Sequence, residues 1–96
     1  MHVILWRFRP RPGMEPAFEA AYASAGAWAE LFRRDAEFLG SDLLRATDGS
    51  YLTLDRWSSE GAFRSFRERF SAEYEALDRR CAAMIESESS LGSVEV

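Results

Sequence analysis

The segment from His2 to Arg9 constrains the fold of this chain more than any other. Its apolar side chains fall on both parities, with Ile4, Trp6 and Phe8 on one and Val3 and Leu5 on the other. A strand turns successive side chains to opposite faces, so a strand apolar on both must be covered on both. The second face loses its apolar character at Arg7 and Arg9, which predicts that this end reaches solvent. Pro10, Arg11, Pro12 and Gly13 then stop the strand, since Pro lacks a ladder donor and Gly permits a turn.

The following segment, Met14 to Arg34, repeats Met14, Phe18, Tyr22, Ala25, Trp28 or Ala29, and Phe32 at helical spacing. Glu15 and Glu19 near its start and Arg33 and Arg34 at its end complement a helix dipole. Ser24 and Gly26 weaken its middle, so it is read as one kinked helix or as two. Phe38 to Ala46 reads as a second strand. Thr47, Asp48, Gly49 and Ser50 form a hairpin turn, and Tyr51 to Trp57 forms a third strand. On that strand Leu52, Leu54 and Arg56 face one way, and Tyr51, Thr53, Asp55 and Trp57 the other. Ser58 or Ser59 caps a second helical stripe, Phe63, Phe66, Phe70, Tyr74, Leu77, Cys81 and Met84, either continuous or broken near Ser71. Ile85 to Val96 reads as a last strand with a bulge at Gly92.

The 96 residues make one domain, residues 1–96, with no linker or repeat. The order strand, helix, strand, strand, helix, strand predicts an α+β ferredoxin-like split βαβ fold (β-α-β-β-α-β). Its antiparallel sheet carries both helices on one face. The other face keeps large apolar side chains and needs a partner. A second copy related by a two-fold axis satisfies it, giving a homodimer through the open sheet face, a dimeric α+β barrel.

The charge balance excludes several function classes. A net charge of −4 argues against a nucleic-acid partner. No apolar run approaches the ~20 residues that span a bilayer, so no membrane partner is expected, and Arg7, Arg9 and Arg11 interrupt any signal-peptide pattern. One Cys allows no internal disulfide and predicts a cytoplasmic setting. One His, at position 2 beside a terminus read as mobile, leaves no metal site and no His-centred triad within a protomer. There is no Gly-rich phosphate loop or dinucleotide fingerprint, so no cofactor is expected.

The residue pattern resembles the antibiotic biosynthesis monooxygenase domain family, within the dimeric α+β barrel superfamily. The resemblance runs over nearly the whole chain: Phe8 to Gly13, Phe18, Tyr22, Trp28, Leu31-Phe32, Phe38 to Gly40, and Tyr51 to Ser59 with Ala62-Phe63 and Phe66 behind it. It continues through Tyr74, Leu77, Asp78, Cys81, Glu86, Glu88, Leu91 and Gly92. Its most specific part is the strand ending in Trp57 with a Ser-capped helix after it. The resemblance implies the fold and the dimer, and one of several activities. One branch degrades haem with a first-strand Asn, a Trp corresponding to Trp57 and a helical His. This chain has no Asn and no helical His. Another branch oxidises quinols or phenols with O2 and no cofactor, holding the substrate between helices and sheet with Trp, Tyr, Asn and Arg side chains.

The resemblance implies a small cofactor-independent monooxygenase acting on an electron-rich aromatic. Asp55 and Trp57 are the catalytic candidates, and Trp6, Tyr22, Trp28 and Tyr51 the substrate-binding ones. Trp6 and Trp57 offer flat π-faces, although core packing is the commoner use of a strand Trp. Burial would raise the pKa of Asp55 toward that of a general base; the simpler expectation is an ion pair with Arg7 or Arg45. Arg56 is expected at a surface or interface. Tyr22 and Tyr74 sit on core stripes, and Asp78 can meet Tyr74 one turn away. Glu86 and Glu88 read as a solvated strand face, Cys81 as an inert buried thiol, and Arg64, Arg67 and Arg69 with their Glu neighbours as a solvated helix face. The alternative functions are a non-catalytic dimeric module binding a small apolar molecule, and a plain structural dimer whose interior is filled.

Overall fold

The computed structural model describes residues 1–96. Its elements are β1 (His2–Pro10), α1 (Glu15–Tyr22), α2 (Ala27–Phe32), β2 (Phe38–Arg45), β3 (Tyr51–Trp57), α3 (Glu60–Arg69), α4 (Ser71–Ala82) and β4 (Ile85–Glu95). The strands form one antiparallel sheet in the order β2-β3-β1-β4. Strand β1 therefore lies between two neighbours, β3 and β4. No helix is long and apolar enough to cross a membrane.

Register distributes the side chains. His2, Ile4, Trp6 and Phe8 stand opposite Trp57, Asp55, Thr53 and Tyr51, so all eight share the face that the helices cover. Val3, Leu5 and Arg7 stand opposite Arg56, Leu54 and Leu52 on the other face, which is joined by Leu44 and Val94. Leu44 and Val94 are about half exposed there.

The core is aromatic. Phe18 stacks on Tyr22 at 4.3 Å, and Trp57 is ringed by Phe32, Phe38, Phe63 and Phe66 at 5.1–5.5 Å between centroids. Such contacts add about 0.5–1.5 kcal/mol per pair beyond area burial. They compensate in part for the small size of the domain.

Both helical stripes are broken, as one alternative of the sequence pattern held. The first break lies at Gly26, which caps α2 in extended conformation. There the chain doubles back so closely that a Cβ on Gly26 would lie 2.5 Å from the Ala20 carbonyl oxygen and 2.7 Å from that of Ala21. The second break is a one-residue hinge at Phe70. Its N–H closes α3 on the Phe66 carbonyl, and its own carbonyl accepts from Tyr74 N–H to open α4. The apolar spacing runs unbroken through this hinge because Phe70 still stacks on Phe66 at 4.9 Å. Ser59, not Ser58, caps α3, accepting from Ala62 N–H at 3.1 Å.

Gly92 takes φ +87°, and the register with β1 shifts beside it, leaving Leu91 as the extra residue of the expected bulge. The N-terminus differs from expectation. His2 is buried within β1 and its Nδ1 lies 2.7 Å from Glu95, while Met1 and Val96 exchange two backbone hydrogen bonds. Pairing with β4 holds this end in the sheet.

Replacing Gly26 by Ala forces the new methyl group into backbone rather than into a mobile side chain. Gly26→Ala is expected to cost about 1–3 kcal/mol in urea unfolding. A loss under about 0.5 kcal/mol would contradict the close reversal between α1 and α2.

Candidate active site

The helix-covered face of the sheet is not completely filled. Trp6 of β1, Thr53 and Asp55 of β3, Ser41 of β2 and Glu88 of β4 form a floor. Tyr22 of α1 with Trp28 and Phe32 of α2 form one wall, and Arg67 of α3 with Tyr74 and Asp78 of α4 form the other. The half-open cavity between them measures about 280 Å³. The interior between helices and sheet is therefore not filled throughout by side chains. The two helix breaks matter here, because each lets a short helix aim aromatic side chains into the space.

Asp55 is the chemically distinctive group. It forms neither of the ion pairs expected for it. Arg7 pairs in register with Leu52 and so lies on the opposite sheet face, and the Arg45 guanidinium sits 5.5 Å over the Tyr51 ring. Arg56, next in the chain, faces away and pairs with Asp42. Burial therefore acts on Asp55 with only a distant cation to oppose it. Its carboxyl is pushed up from 3.8 to about 7, with Arg56 pulling slightly the other way.

Several neighbouring groups are shifted upward as well. Burial raises the Tyr22 phenol, with Cys81 adding to the effect. Burial likewise raises the Tyr74 phenol, against the pull of Arg67. Glu88 is raised by burial and by Asp78. The indole N–H of Trp28 is buried with no acceptor in the chain. Two phenols and an indole N–H, all neutral donors, thus line the space around a carboxyl that changes charge near neutrality. No three His, Cys, Asp or Glu side chains gather as metal ligands.

Of the six candidate residues, the cavity brings together Trp6, Tyr22, Trp28 and Asp55. Trp57 and Tyr51 stand outside its lining. Trp57 is fully buried among phenylalanines. Tyr51 donates from its hydroxyl to Glu19 at 2.6 Å, tying β3 to α1. Cys81 is buried, and burial raises its thiol, as an inert role requires. Glu88 is exposed, as expected of a solvated strand face, and its register with Phe8 places it at the rim of the cavity. One lining residue, Arg67, differs from the solvated face assigned to it. Arg67 follows Phe63 by four residues and precedes Phe70 by three, which sets it at the edge of the apolar stripe and not on the outer face.

The family model described as antibiotic biosynthesis monooxygenase matches residues 1–85. The chain belongs to the antibiotic biosynthesis monooxygenase family. Membership carries a monooxygenase-like role at the level of the family. Among solved structures, the chain is similar to an asparagine-to-alanine variant of SnoaB, a cofactor-independent oxygenase from Streptomyces nogalater. Identity is 25% and the TM-score 0.74, over 99% of this chain and 91% of that one. It is also similar to Rv0793 from Mycobacterium tuberculosis, at 20% identity and TM-score 0.68, over 99% and 96%. A NIPSNAP domain protein from Burkholderia xenovorans gives 20% and 0.71, over 100% and 94%. The last two likenesses concern the fold alone. No curated protein matches the chain.

The raised Asp55 pKa has a consequence for stability. Between 3.8 and about 7 the folded chain holds a proton that the unfolded chain has released, so stability falls as pH rises through that window. Asp55→Asn removes the charge but keeps the shape. It is expected to raise stability at pH 8 by about 2–4 kcal/mol and to change little below pH 4, read as Tm against pH. A lower Tm for the variant at pH 8 would show that the carboxylate is satisfied in the fold.

Proposed function

We propose that the cavity binds an electron-rich phenol or quinol and that Asp55 takes its hydroxyl proton, so that the resulting anion reacts directly with O2. The supporting observation is Asp55 itself, an unpaired carboxyl titrating near 7 among aromatic faces. A base of that pKa is half ionised at neutral pH, where general-base catalysis is most effective. Trp6 and Trp28 supply the surfaces on which a flat ring stacks. Tyr22, Tyr74 and the Trp28 N–H are the donors for the developing oxyanion. Trp57 and Tyr51 act from behind, holding the two ends of β3 so that Asp55 keeps its place between them.

The electron count closes within substrate and oxygen. A phenol with a free para carbon loses four electrons in becoming a quinone, and O2 gains four. One oxygen atom stays on the carbon and the other leaves as water with the two hydrogens removed. The protein then has to bind the anion, exclude bulk water and offer a base.

Purified protein is expected to consume O2 with 1,5-dihydroxynaphthalene and to place one oxygen-18 atom from labelled O2 in the quinone. Log kcat/KM should rise with pH and level off above about 7, because the base must be ionised. Asp55→Asn should lose that limb and about 10²–10⁴-fold in kcat. Saturable quenching of Trp fluorescence without turnover would instead favour the non-catalytic module that binds a small apolar molecule.

We also propose that the open sheet face is covered by a second copy of the chain. Leu5, Leu52 and Leu54 present an apolar row there, flanked by Leu44 and Val94, and Arg7 Nε is buried on this face without an acceptor. A face that is its own complement suits a two-fold pair. Light scattering at micromolar concentration is expected to give twice 10.9 kDa, falling to the monomer in Leu52→Glu with the fold retained by circular dichroism. A folded 10.9 kDa particle for the native chain would overturn the pairing.

A further inference from the structure

Helix α3 carries three arginines, and they are used differently. Arg64 pairs with Glu60 at 2.7 Å and Arg69 pairs with Asp35. Arg67 has no ion-pair partner. Its guanidinium carbon lies 3.8 Å over the centre of the Tyr74 ring, and the side chain is half-buried. A guanidinium stacked on an aromatic face keeps its N–H groups in its own plane, so the stacking fixes the group and leaves its donor edge free.

The position of this cation gives it meaning. A second hollow of about 490 Å³, lined by His2, Phe63, Arg64 and Gly92 among others, lies beside the cavity of Asp55. The two share Trp6, Arg67 and Tyr74, so these three side chains form the junction. The cavity of Asp55 carries three carboxyl groups, the half-buried Asp55 and the exposed Asp78 and Glu88 at its rim, and Arg67 is its sole basic lining residue. In the outer hollow Arg64 is already paired with Glu60. An aromatic molecule bearing an acidic group is repelled beside Asp78 and Glu88 and attracted at Arg67.

Resting on the phenol-oxidising reading of the cavity, we propose that the substrate carries a carboxylate held by Arg67 at this junction, with its phenolic end directed inward to Asp55. Tyr74 is the positioning residue that holds the guanidinium in place. The occupied volume then extends beyond the inner cavity into the outer hollow, which accepts the acidic substituent.

The test compares 1,5-dihydroxynaphthalene with its carboxylated analogue, 4,8-dihydroxy-2-naphthoate, in anaerobic calorimetry and in O2 consumption. The native protein is expected to bind the carboxylate about ten- to a hundred-fold more tightly, the range a charge-assisted contact supports. Arg67→Gln should bring the ratio close to one, chiefly through a weaker Kd and higher KM for the carboxylate. Arg67→Lys should restore part of it. Equal affinity for the two compounds, or an Arg67→Gln loss that is the same for both, overturns the assignment. Carboxylate preference without O2 consumption would retain Arg67 as the anion contact and refute the phenol-oxidising reading. O2 consumption without preference would do the reverse.

Discussion

The antiparallel register between β1 and β3 is the constraint on which the rest depends. It places Trp57, Asp55, Thr53 and Tyr51 opposite His2, Ile4, Trp6 and Phe8, all toward the helices. Side chains alternate with a period of two, so a slip of one residue would exchange the faces of the whole strand. Arg56 would then enter the cavity and Asp55 would reach the open face. The buried ends of the strand prevent this. Trp57 is locked among four phenylalanines at one end, and Tyr51 is packed on Phe18 and bonded to Glu19 at the other. The free energy that holds the register also holds Asp55, a carboxyl under the helices with no ion-pair partner. Isolating it costs stability, and a domain this small can bear that cost only because its core is so rich in aromatic rings.

The helix breaks serve the same end. A continuous helix over Met14 to Arg34 would lie across the sheet and bury one stripe. The reversal at Gly26 instead sets α2 at a new direction, so that Trp28 reaches both Tyr22 and Tyr74, at 6.0 and 4.9 Å between centroids. The hinge at Phe70 does the equivalent for the other pair, leaving Phe66 on Trp57 while α4 turns Tyr74 and Asp78 to the cavity.

The strands and the turns were legible in the sequence because their signals are local. Alternation marks β1 and β3, Asp48-Gly49 marks the hairpin, and Gly92 marks the bulge. The choice between one helix and two was not legible at Phe70, because the three-to-four spacing continues through the hinge. At Gly26 the weak residues marked the place without deciding the outcome. Parity carried half of the site: Asp55 and Trp6 share a face by simple counting. It could not separate Asp55 from Trp57, which share parity yet differ in whether helices or empty space stand above them. Arg67 was misassigned for a related reason. A charged residue at the edge of an apolar stripe has the same local pattern whether its neighbour across space is water or a cavity. Only the tertiary arrangement tells them apart.

The electrostatics of the cavity impose a separation that the fold satisfies. A guanidinium in contact with Asp55 would stabilise its carboxylate and return its pKa to the ordinary acid range, removing the basicity near neutrality that the proposed reaction uses. Yet the anion of the proposed reaction, formed in an acid-lined cavity, needs positive charge within reach. Stacking Arg67 on Tyr74 answers both demands, since the cation stays in the lining without forming an ion pair with Asp55. Tyr22, Tyr74 and the Trp28 N–H then supply donors that are neutral, so they can meet an oxyanion without depressing the base. The nearest charged neighbour in sequence, Arg56, is turned to the far side of the sheet and neutralised by Asp42. Basicity at Asp55 is thus maintained by where the cations are kept, through strand alternation on one side and aromatic stacking on the other.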